Sequence, residues 1–172
     1  ATGISFEIIL LILFQVLYGY VYNWIGIIIG LFMLGLAAGT RFFISIERLF
    51  ISPNKFQKKI HLLSAIQFTI TIYFLIILLF AITKVSFTNY IIPVLLFVGG
   101  FLGGIHFPMA VEIAGESSAG ILYGIDLFGA SLGALITATI LIPILGILST
   151  SLIFILWNLI VSLGLFQIRV PD

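Results

Sequence analysis

The chain contains no cysteine. That absence removes disulfides, iron–sulfur clusters and thiolate metal sites. Charge is nearly as scarce: 8% of residues are Asp, Glu, Lys or Arg, and the net charge is +1. No basic stripe interleaved with aromatics is present, which argues against a nucleic-acid partner. Nor is there a hydrophilic stretch in the 172 residues long enough for a water-facing catalytic domain. The chain reads as a single domain over 1–172 and as a non-enzyme, with no cofactor called for. It begins Ala1-Thr2-Gly3 and stops soon after its last apolar run. On that ground it reads as a processed chain or as a piece of a longer one.

What the chain has in abundance is long apolar runs. Hydrophobic residues make up 62% of it, and the mean hydropathy is +1.37. A helical membrane span needs about 20 apolar residues. Runs at about 4–22, 24–44, 60–83, 90–110, 119–143 and 148–168 meet that length. The expected fold is therefore all-α, a polytopic bundle of about six transmembrane helices in the lipid bilayer. The first two runs are joined by almost nothing, and Tyr18, Tyr20, Tyr22 and Trp24 gather there as an interfacial aromatic belt. A cleavable signal peptide fits poorly, because no basic region leads the first run and another span follows at once.

Lys and Arg set the expected orientation. Arg41, Arg48, Lys55, Lys58 and Lys59 lie at or in the connection between runs two and three, and Arg169 follows run six. Lys84 alone falls on the opposite side. The positive-inside rule makes the basic side cytoplasmic, with both termini there, in a multi-pass cell-membrane protein. Ser52-Pro53-Asn54 should turn within that connection. The connection's apolar residues should lie along the headgroups, where the basic residues can attract anionic lipid.

Glycine occurs 17 times, mostly inside the runs. Gly26/Gly30, Gly35/Gly39, Gly99/Gly103, Gly100/Gly104, Gly120/Gly124 and Gly129/Gly133 are each spaced by four. Small residues four apart share a helix face and let two backbones approach closely. A Gly-packed bundle follows, with runs four and five expected to cross at Gly99/Gly103 and Gly129/Gly133. In run five, Tyr123, Asp126, Ala130, Gly133 and Thr137 fall on one face. Gly120, Gly124, Ser131 and Ala138 fall on another. Small on two faces, this helix is expected to be central.

Ionisable groups inside apolar runs are costly and so are candidates for structure or function. Glu7, Arg41, His106 and Asp126 fall at similar depth, with Glu112 or Glu116 in the adjoining loop. Together with Tyr123 they form an expected polar cluster toward the cytoplasmic leaflet. The simplest reading of Glu7 and Arg41 is an ion pair across the first hairpin. Asp126 either satisfies a tyrosine hydroxyl or a helix end, or it carries a functional charge facing the interior. Glu116 with Ser117-Ser118 suits the start of run five as dipole partner and cap. Pro93 and Pro143 should bend or end helices.

Two stretches are recognisable. GISFEIILLILFQVLYGYVYNWIGIIIGLFMLGLAAG and GILYGIDLFGASLGALITATILIPILGI resemble the membrane region of spermidine-synthase-like integral membrane proteins. The first match rests on Phe6-Glu7, the stretch from Gln15 to Tyr22, Phe32-Met33-Leu34-Gly35-Leu36 and Gly39. The second rests on Gly120, Tyr123, Asp126, Gly129, Gly133, Pro143 and Gly146. The resemblance implies a transporter-like region, its second half, of the major-facilitator type. Such proteins also carry a soluble Rossmann-like aminopropyltransferase-type domain. None of that domain is in this sequence, so aminopropyl transfer does not carry over.

Three functions are open at this point. The first is a non-enzymatic membrane subunit, a scaffold or anchor for other membrane or redox chains. The second is half of a small-solute or polyamine transporter that works with a second copy. There Asp126, Glu7, Glu112 and Glu116 would serve as counter-charges. The third is a haem-binding subunit with His61 and His106 as axial ligands, two histidines being the minimum for such a site.

Overall fold

An apolar segment that cannot give its backbone to water must satisfy it internally, and the α-helix does so residue by residue. The structure, a computed structural model, describes residues 2–18, 22–50, 56–83 and 91–167. Every element among them is helical. They are α1 (Thr2–Tyr18), α2 (Tyr22–Phe50), α3 (Phe56–Thr83), α4 (Ile91–Ala114), α5 (Ala119–Ile136) and α6 (Ile142–Gln167). A short 3-10 turn, Glu116–Ser118, precedes α5, and a π-helical segment, Thr137–Leu141, joins α5 to α6. The turn expected at Ser52-Pro53-Asn54, the aromatic cluster around Tyr20, and Lys55, Lys84 and Arg169 lie outside the described residues.

Among the described residues, four helical stretches are long and apolar enough to cross a membrane. They are Gly26–Ile46, Lys59–Leu79, Ile91–Ala114 and Ala119–Gln167, while Glu7–Val16 is apolar but shorter. The last stretch covers 49 residues, and as one straight rod it would reach about 73 Å at 1.5 Å per residue. It is not one rod. Gly146, at φ 77 and ψ 169, breaks it, and only glycine takes that backbone without strain. The break expected at Pro143 thus falls three residues later. Pro143 has no N–H to give the Thr139 carbonyl, and its ring would crowd that oxygen. The wider π turn just before it accommodates the ring, with the Ile142 N–H reaching back to the Thr137 carbonyl.

Directions follow from which residues meet. Phe32 and Leu36 of α2 meet Gly100 and Gly104 of α4 in that order, so these two helices run parallel. Ser64 meets Ser162 and Gln67 meets Asn158, so α3 and α6 run antiparallel. The main apolar core joins Leu10, Leu13 and Phe14 of α1 to Phe74, Ile77 and Leu78 of α3, Leu96 of α4 and Ile155 of α6. A smaller cluster of Phe43, Leu63 and Met109 ties α2, α3 and α4 together.

The closest helix contact is not the expected one. A Cβ on Gly35 or Gly39 would collide with the carbonyls of Phe97 and Phe101 on α4. One on Gly100 or Gly104 would collide with the carbonyls of Phe32 and Leu36 on α2. Reciprocal glycines thus bring α2 and α4 backbone to backbone. Of the glycines expected to cross between runs four and five, Gly99 faces the Tyr73 ring and Gly103 faces Leu36, while α5 packs more on α1 than on α4. Nor is α5 central. Ala130 is its buried residue, and a Cβ on Gly120 or Gly124 would meet nothing within 4 Å. A second small face on a helix permits a close neighbour but does not supply one.

Candidate functional site

α3 and α6 share a polar seam inside apolar packing. On α3, Ser64, Gln67 and Thr71 recur on one face, and all are buried. Opposite them, Asn158 and Ser162 of α6 are buried too. The Gln67 amide donates to Asn158 Oδ1, and the two serines exchange bonds with each other's carbonyls, at 2.9 Å and 3.1 Å. Each buried polar group therefore has a partner, which is the condition for carrying it in an apolar interior.

Beside this seam lies a cavity of about 350 Å³. Five helices line it. Glu7 comes from α1, Phe32 and Thr40 from α2, and Gln67, Tyr73 and Phe74 from α3. His106 and Phe107 come from α4, and Tyr123, Asp126 and Ala130 from α5. Gly99, Gly103 and Gly104 also border it, so part of the space exists because α4 carries no side chain there. None of the described lining residues is Lys or Arg. Such a lining, largely aromatic and apolar with a few converging polar groups, is typical of a small-molecule site.

The polar groups differ in how they are held. Tyr73 is buried and donates its hydroxyl to the Leu95 carbonyl. Tyr123 is 55% exposed, with its ring edge-on to Phe107 at 6.1 Å between centroids. Asp126, expected to face the interior, lines the cavity but is on its exposed rim, where α5 covers little of α4. His106 of α4 lines the same cavity. Glu7 is half-buried and makes no hydrogen bond or ion pair among the described residues.

Of the five residues read as one polar cluster, Glu7, His106, Tyr123 and Asp126 line this cavity. Arg41 does not: it is exposed on α2, outside the lining. The expected Glu7–Arg41 ion pair is not formed. α1 and α2 touch sparsely, because α2 gives its small face to α4. Among the described residues, an ion pair joins Lys59 of α3 to Glu112 of α4. Ser118, expected to cap α5, sits at the cap position with no side-chain capping bond. His61 packs on Phe166 at 5.2 Å and is not among the cavity residues, so the two histidines of the haem reading do not share this space. Among the described residues, no group of three His, Asp or Glu side chains is placed to hold a metal ion.

Sequence reading passed over Thr40, Gln67, Tyr73 and the Lys59–Glu112 pair. Gln67 carried a legible signal, a lone amide deep in an apolar run. Compared with known proteins, the chain matches no protein-family model, no curated protein and no solved structure.

Proposed function

We propose that this is a non-enzymatic, multi-pass membrane protein whose cavity binds a small cationic solute, and that it forms half of a transport pathway. The cavity carries the reading: two carboxylates, an imidazole and several aromatic rings converge on about 350 Å³, with no described Lys or Arg in the lining. Carboxylates attract an ammonium group, and aromatic faces favour it further. A linear polyamine is one member of this chemistry.

In this reading the apolar runs make six spans with both termini on the cytoplasmic side, in the cell membrane. The parallel α2/α4 pair and the antiparallel α3/α6 pair suit that alternation. The break at Gly146 suits a turn between the last two spans, with α1 packed against both. A second copy, or another membrane chain, would complete the pathway.

A second reading is the scaffold or anchor subunit for other membrane or redox chains. One observation favours it: Gly120 and Gly124 present a small face of α5 with nothing against it. Purification in mild detergent separates the two. A solute-binding unit purifies alone or as a homodimer and melts at higher temperature when n-butylammonium is added. A scaffold purifies with partners in fixed stoichiometry, and n-butylammonium leaves its melting unchanged.

A further inference from the structure

We infer that Glu7 is a proton-exchange site: its carboxyl holds a proton until a cationic solute enters the cavity, and gives it up when one does. The inference rests on the cavity being a solute site, and it names the ion that solute binding moves.

Glu7 projects from the first turns of α1 into a space shared with Phe32, Phe74 and Phe107. A carboxylate in such surroundings is costly unless something compensates its charge. The titratable groups that share the cavity with it are His106 on α4, Tyr123 and Asp126 on α5, and Tyr73 on α3. Tyr73 is committed to the Leu95 carbonyl. Asp126 takes part in an interaction of its own. No described titratable side chain of α2 or α6 lines the space, and Arg41 stands outside it. Glu7 makes no hydrogen bond or ion pair among the described residues. A proton on its own oxygen or a cation in the cavity can each compensate it, and one displaces the other.

The step balances. A primary ammonium enters from water, the Glu7 O–H bond breaks, and the proton leaves to bulk water through the cavity mouth beside Asp126. The carboxylate left behind accepts N–H bonds from the ammonium. One positive charge enters and one departs, so the cavity's net charge is unchanged. Solute affinity then rises with pH, about tenfold per unit where Glu7 titrates, because binding releases one proton.

The test uses the full chain in lipid nanodiscs, with n-butylammonium as the cation and n-butanol as its neutral counterpart. Proton release into weakly buffered medium is read with a pH dye. Dicyclohexylcarbodiimide, which reacts with protonated carboxyl groups in apolar surroundings, is used to label Glu7, and the product is read by mass spectrometry. The inference expects about one proton released per butylammonium bound. It also expects labelling at Glu7 that n-butylammonium prevents and n-butanol does not. Glu7→Gln should abolish the released proton while the protein remains folded, judged by its melting transition. Butylammonium binding with no proton release, and labelling that it leaves unchanged, would overturn the exchange yet leave the cavity a solute site. Binding of neither compound would overturn the solute site as well.

Discussion

Thr40 of α2 donates its hydroxyl to the carbonyl of Gly104 on α4 at 3.0 Å. That carbonyl is the one Pro108, four residues on, cannot serve, because proline has no N–H. α4 therefore runs through Pro108 without losing an acceptor, and a side chain 64 residues away supplies the donor. Thr40→Val keeps the shape and removes the hydroxyl. It should cost roughly 1 kcal/mol, in line with hydrogen bonds measured between membrane helices. Pro108→Ala restores an N–H in α4, so the Val substitution should cost less in that background. A double-mutant cycle from denaturant unfolding in micelles checks this. Equal costs in both backgrounds would separate Thr40 from Pro108.

Gly104 also sets the spacing of the two helices, because a Cβ there would strike the Leu36 carbonyl. Backbone cannot turn aside as a side chain can. Gly104→Ala should therefore destabilise by about 2 kcal/mol or more, the scale of overpacking in a tight core. Gly124→Ala is the control, since its Cβ would meet nothing within 4 Å. It should be neutral or stabilising by up to ~1 kcal/mol through helix propensity. Thermal melting of both variants decides the point, and equal effects would mean the α2/α4 contact is looser than described.

Much of the architecture is legible in the sequence, and the reason is specific. Long apolar stretches with no hydrophilic interruption leave the backbone one way to satisfy itself, so the all-helical class follows. Four-residue glycine spacing likewise marks faces where a backbone can come close. Periodicity, however, says which residues share a face and not which helix that face meets. Pattern alone pairs Gly99/Gly103 with Gly129/Gly133, whereas in the structure Gly35/Gly39 and Gly100/Gly104 bring α2 and α4 together. The same gap affects the site. Glu7, His106, Tyr123 and Asp126 stand out as polar residues in apolar runs, and so does Arg41. Depth along a span cannot tell that Arg41 faces outward. Lys59 and Glu112 look unrelated in the sequence, one a topology charge and the other a loop acid, because nothing local links α3 to the end of α4.

The Lys59–Glu112 pair joins α3 to α4, with side chains 14% and 19% exposed. Removing one partner strands the other in a largely dehydrated place. Glu112→Gln should cost roughly 2 kcal/mol, between the values for exposed and fully buried pairs. Exchanging the two charges, Lys59→Glu with Glu112→Lys, should recover part of that loss. Chemical denaturation of the single and double variants measures both quantities, and additive losses in the exchanged protein would show that the pair contributes nothing.

Thr137 is fully buried in the π-helical segment, and its hydroxyl has no partner among the described residues. An unpaired buried hydroxyl is unfavourable, and an apolar group of the same shape relieves it. Thr137→Val should stabilise the protein by about 1 kcal/mol. Unfolding of the variant checks the sign. A loss of stability would show that the hydroxyl is in use, through a partner outside the described residues or through water.

The central claim is that the cavity beside Glu7 selects a small cation. Titration calorimetry of the full chain in nanodiscs, with n-butylammonium and n-butanol against wild type and Glu7→Gln, tests it most directly. The account predicts that the ammonium binds wild type more tightly than the alcohol does. It further predicts that Glu7→Gln weakens ammonium binding by about tenfold or more, roughly 1.4 kcal/mol, and leaves the alcohol nearly unaffected. Equal affinity for the two compounds, unchanged by the substitution, would contradict it.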